Sequence, residues 1–111
     1  MPLLRVALGD VAGIEAVGIF GSYAGRLSGE PGPPPQDVDV LVVGSPDLDE
    51  VYDACAAVAR RVGRPVSPTV LSAAEWQAGS AFLAQVRRGP YASVLGELPA
   101  VAALARVGER L

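Results

Sequence analysis

The sequence predicts an α/β (α+β) domain, a small mixed β-sheet flanked by helices, and three observations carry that expectation. Segments with helical spacing alternate with short, branched, apolar segments along the 111 residues. Half of the residues are hydrophobic, enough for one core in a single domain spanning 1–111. Glycine or proline marks most of the junctions.

Leu3, Leu4, Val6, Ala7, Leu8 and Val11 recur at helical spacing, which predicts a first helix over 2–11, broken before Gly13. Residues 14–20 are rich in Ile, Val and Phe and read as a strand that Gly21 ends. Ser22 is placed to cap a short helix reaching Leu27. Residues 28–36 hold four prolines and two glycines, so they form a stiff, irregular loop. The run 37–43, Asp-Val-Asp-Val-Leu-Val-Val, reads as a central strand.

Asp47 or Ser45 caps a helix over 48–62, whose apolar face is Val51, Ala54, Cys55, Val58, Ala59 and Val62. Residues 66–71 form a third strand, and Pro68 restricts it to pairing on one side. Ser72 and Glu75 spell a capping box for a helix over 73–78. A second stretch, 81–88, stops at Gly89-Pro90; 91–95 is a short strand; 99–110 reads as a final amphipathic helix. Trp76 and Phe82 are expected as core or interface anchors, and Cys55 as a small core residue.

Composition narrows the chemistry. There is one cysteine and no histidine, so Cys/His zinc sites, internal disulfides and histidine-based catalytic triads are excluded. A metal held by this chain must take oxygen ligands, which selects magnesium, manganese or calcium. Acids outnumber bases by 12 to 9, for a formal charge of −3, which argues against direct binding to long nucleic acid. No apolar run approaches the ~20 residues that cross a bilayer, and the N-terminus does not read as a signal peptide, so a cytoplasmic protein is expected.

Two pieces carry candidate chemistry. Gly21-Ser22 sits where a strand turns into a helix, where free N–H groups and the Ser22 hydroxyl can cradle phosphate oxygens. Alone this is a weak signal, because such a pair usually makes only a turn and a cap. The second piece is Asp37-x-Asp39 at the mouth of an apolar strand. Residues two apart on a strand share a face, so the carboxylates stand side by side. Adjacent anions repel unless a cation lies between them, and magnesium suits that spacing. Capping and solvation are the plain alternative. A phosphate cradle ending one strand, with an acid pair opening its neighbour, is the layout that phosphoryl or nucleotidyl transfer requires.

Ile19-Phe20-Gly21-Ser22-Tyr23-Ala24 followed by Asp37-Val38-Asp39-Val40-Leu41-Val42-Val43 resembles the signature of the polymerase-β-type minimal nucleotidyltransferases of bacteria. The resemblance covers roughly 13–95. The run 64–76 is similar to the third strand and following helix of a subgroup often fused to a winged-helix DNA-binding domain. The resemblance implies that Asp37 and Asp39 are catalytic and hold Mg²⁺ (or Mn²⁺). It also implies that Gly21, Ser22 and, near them, Arg26 bind a nucleoside triphosphate, whose nucleoside monophosphate passes to a hydroxyl acceptor. Family members carry a third carboxylate on the next strand; here 66–71 has none, with Ser67 or Thr69 in its place and Glu30 the nearest loop acid. Three readings therefore stand: an active transferase; a silent nucleotide-binding or regulatory module, antitoxin-like or sensor-like; and a structural domain with no ligand. The resemblance implies a protein partner, a toxin or a DNA-binding domain. The apolar last helix and the open sheet edges leave room for a homodimer.

Overall fold

The computed structural model describes residues 2–27, 29, 32 and 37–96. The expected final helix (99–110) and Glu30 lie outside the described residues.

Nine elements follow in order: α1 (Pro2–Gly9), β1 (Ile14–Phe20), α2 (Gly21–Leu27), β2 (Val38–Gly44), α3 (Leu48–Val62), β3 (Val66–Leu71), α4 (Ala73–Ala78), α5 (Ala81–Arg88) and β4 (Tyr91–Leu95). The strands form one four-stranded sheet in the order β3-β2-β1-β4. β1 pairs antiparallel with both β2 and β4, whereas β2 pairs parallel with β3. The sheet is therefore mixed, as expected. Pro68 sits in β3 at the edge, where a missing N–H faces no second partner.

Side-chain alternation sends two sets of residues to opposite faces. Val17 and Ile19 of β1 and Val38, Val40 and Val42 of β2 pack with Leu4 and Leu8 of α1, Ala24 of α2, and Val51, Cys55 and Val58 of α3. Ala16, Leu41 and Val43 pack on the other face with Trp76 of α4 and Leu83 and Val86 of α5. Each fully buried aliphatic side chain contributes about 1.5–3 kcal/mol, so β2, which sends Val38, Val40 and Val42 to one core and Leu41 and Val43 to the other, is the strand least tolerant of change.

Local signals explain the boundaries. Asp47 caps α3, its side chain accepting from the Glu50 N–H, and Asp49 and Glu50 place negative charge at the positive end of the helix. Ser72 and Glu75 form the full capping box, each side chain accepting the other's backbone N–H. Ser80 caps α5 by accepting from the Leu83 N–H.

The structure corrects the sequence reading at two places. α1 ends at Gly9 rather than at Val11, and the Val11 N–H bonds back to the Leu8 carbonyl in a closing turn. Gly21 itself opens α2, so Ser22 lies inside the first turn and is not the cap. Of the two expected anchors, Trp76 is buried in the core and Phe82 is 40% exposed, because α5 turns Leu83 and Val86 inward.

Candidate functional site

β2 is fully buried along its length except at one residue, Asp39. An acid in the middle layer of a sheet serves no packing purpose, and burying its charge costs free energy. Asp39 points to the α4–α5 face, because Leu41 and Val43, two and four residues on, belong to that core. Asp37, just before β2, shares that face by the same alternation and is exposed.

Antiparallel pairing brings the two sequence motifs together. Phe20, the last residue of β1, is the register partner of Asp39. Gly21 follows directly, and a Cβ built there would stand 3.0 Å from Asp39 Oδ2. Gly21 has φ +73°, a left-handed conformation that glycine adopts without penalty. Position 21 thus requires glycine twice, once for its backbone and once for the carboxylate beside it.

The electrostatics agree with this geometry. Asp39 has its carboxyl pushed above the ordinary aspartate value, first by partial burial and second by the negative charge of Asp37. Repulsion between the two acids means that their charges act on each other. A hard divalent cation held by the two carboxylates would offset both effects, and oxygen donors of this kind fit Mg²⁺ or Mn²⁺.

On the other side of Asp39, its register partner in β3 is Ser67, and the next inward-facing pair is Leu41 with Thr69. The strand position beside the acid pair is therefore a hydroxyl. Among the described residues no third acid joins Asp37 and Asp39 in a metal-binding group.

Of the remaining expected residues, Ser22 is exposed in the first turn of α2, next to Gly21. Arg26 lies in the last turn of α2 with its guanidinium against Gly32 of the proline-rich loop. The structure thus gathers Gly21, Ser22, Asp37 and Asp39 and sets Arg26 more than a turn away along the helix. Tyr23 packs against the core, with the Arg64 guanidinium 5.8 Å from its ring centre.

Phe20 and Phe82 went unassigned to the site in the sequence, yet both border it. Their rings meet edge to face, 5.7 Å apart and at 81°. Together with Gly21 they line a cleft of about 250 Å³. The one signal available in sequence was the aromatic residue immediately before Gly21.

Solved structures share the fold of this chain. One, a toxin-antitoxin complex with AMP-PNP, matches at TM-score 0.56 and 16% identity, over 87% of this chain and 75% of that chain. The fold is nucleotidyltransferase-like. A doubly Asp→Glu-substituted toxin-antitoxin complex, MntA-HpeT, matches at TM-score 0.53 and 15% identity, over 86% of this chain and 69% of that chain. The tri-AMPylated Shewanella oneidensis HEPN toxin in complex with MNT antitoxin matches at TM-score 0.51 and 14% identity, over 86% of this chain and 68% of that chain. No protein-family model matches the sequence, and no curated protein matches it. Among the described residues no helix is long and apolar enough to cross a membrane.

Proposed function

We propose that this domain binds a magnesium–nucleoside triphosphate and transfers its nucleoside monophosphate to a hydroxyl on a partner protein. The observation that carries the reading is the Asp37–Asp39 pair on one sheet face with Gly21 against the Asp39 carboxylate. One structural neighbour bears two Asp→Glu substitutions at the same spacing, another is a complex with AMP-PNP, and a third holds an AMPylated toxin. These support a nucleotide ligand and a toxin-like protein partner.

In this reading Asp37 and Asp39 hold the ion through carboxylate oxygens. A bound Mg²⁺ supplies charge neutralisation on the phosphate oxygens as they gain charge. The Gly21 backbone, free of a side chain, lets the triphosphate approach, and the Ser22 hydroxyl donates to a phosphate oxygen. Arg26, held against Gly32 in the last turn of α2, would reach the outer phosphates only by swinging its guanidinium from the loop toward Gly21. The acceptor oxygen attacks the α-phosphorus, the bond to the bridging oxygen breaks, and pyrophosphate leaves. The acceptor's proton goes to solvent, since Ser67 beside Asp39 is no base near neutral pH.

Ser67 also favours a second reading, a silent module that holds nucleotide and regulates a partner without transfer. One experiment separates the two: the protein is incubated with labelled nucleoside triphosphates, Mg²⁺ and a cell lysate, beside an Asp37→Ala/Asp39→Ala variant. Label transferred to protein and lost in the variant supports the enzyme. Nucleotide bound without transfer supports the module, and neither, in a folded protein, refutes both.

A further inference from the structure

We infer that the cleft beside Gly21 holds the base of the nucleotide, with Phe82 as the stacking surface. The inference rests on the nucleotide site proposed above and adds to it the place and chemistry of base recognition.

Gly21 belongs to both places: a Cβ there would stand 3.0 Å from Asp39 Oδ2, and the residue also lines the cleft. A ligand with its phosphates at Gly21 and Ser22 therefore has the cleft within reach of its other end. The walls are Phe20, Phe82, Val86 and Pro90, all apolar, with Gln85 as the polar side chain among them. This is the composition of a ligand subsite, apolar with few oriented polar groups. Its volume of about 250 Å³ falls just short of the ~300–1,000 Å³ typical of whole-ligand pockets, which suits one flat part of a ligand.

The aromatic geometry completes the case. Phe20 is fixed in the sheet opposite Asp39, and Phe82 meets it at 81°, so the two rings form a corner rather than a closed stack. Phe82 leaves 40% of its surface in water although it is large and apolar. A flat base set on that ring buries this surface and meets the edge of Phe20. The Gln85 amide, one acceptor and two donors, lies where it can read the base edge. Its dual character accepts either pattern of base donors and acceptors, so the cleft selects for ring area before base identity.

The test compares binding by calorimetry of the four common nucleoside triphosphates and inorganic triphosphate, all with Mg²⁺, to the wild type, Phe82→Ala and Phe82→Trp. The wild type is expected to bind at least one nucleotide more tightly than inorganic triphosphate, purines most. Phe82→Ala is expected to weaken that nucleotide about tenfold and leave inorganic triphosphate unchanged, while Phe82→Trp retains the nucleotide. Circular dichroism confirms that each variant is folded. Nucleotide affinity unchanged in Phe82→Ala, or equal affinities for every nucleotide and inorganic triphosphate, overturns the base subsite and leaves the phosphate site standing. Failure of the wild type to bind either class overturns the nucleotide reading itself.

Discussion

The Asp39 carboxylate lies against Gly21, with Oδ2 3.0 Å from where a side chain at that glycine would begin. Two strands far apart in sequence meet at this contact, so a substitution of Gly21 acts on both fold and site. Gly21→Ala places a Cβ in the left-handed region, at a cost of about 1–2 kcal/mol, and pushes the carboxylate aside. The expected result in urea unfolding is a loss of that size, together with weaker nucleotide binding. Unaltered stability would show that position 21 tolerates a side chain.

Asp39 gives the metal-free protein a pH dependence of definite sign. Its folded-state carboxyl titrates above 3.8, so between that value and the raised one the folded protein holds more protons than the unfolded chain. Stability therefore falls as pH rises through the raised value. Asp39→Asn removes both the burial penalty and the repulsion from Asp37, so it should match or exceed wild-type stability at pH 7 without metal. Thermal melts of both proteins across pH 4–7 check this, and a clear destabilisation of Asp39→Asn at pH 7 counts against it.

Tyr91 lies across the bare backbone of Gly18, where a Cβ would overlap its ring, and its hydroxyl is buried with no hydrogen-bond partner among the described residues. A buried polar group without a partner costs about 1–3 kcal/mol. Tyr91→Phe is therefore expected to be neutral or stabilising by roughly 1 kcal/mol, measured by thermal or urea unfolding. A loss above that size would reveal a partner for the hydroxyl.

Cys55 is buried in the α1–α3 core, and burial pushes its thiol up to about 11. The thiolate is the reactive form, so the folded protein should resist a thiol reagent at pH 8 and react promptly once unfolded in guanidinium. Equal rates in both states would place Cys55 on an accessible surface.

Much of this was legible in the sequence because short-range chemistry decided it. Asp47 and Ser72 mark helix starts by hydrogen bonds to residues three positions on. Pro68 fixed β3 as an edge because a missing donor acts wherever the strand lies. The acid pair was visible because charge in an apolar strand is costly in any fold. What was hidden depended on contacts across the sheet. The antiparallel register that sets Phe20 opposite Asp39 has no local signature. Nor has the rotation of α5 that exposes Phe82, since Phe82, Leu83 and Val86 are all apolar and periodicity alone does not say which of them faces the core.

In the proposed function Asp37 and Asp39 share a divalent ion next to Gly21. Paramagnetic Mn²⁺ titrated into ¹⁵N-labelled protein tests it most directly, because amide signals broaden with proximity to the ion even when binding is weak. The amides of Gly21, Asp37 and Asp39 are expected to broaden first, and Asp37→Asn or Asp39→Asn to abolish the effect. Broadening centred on the acids at the start of α3, Asp47, Asp49 and Glu50, with the Gly21 amide untouched, would contradict it.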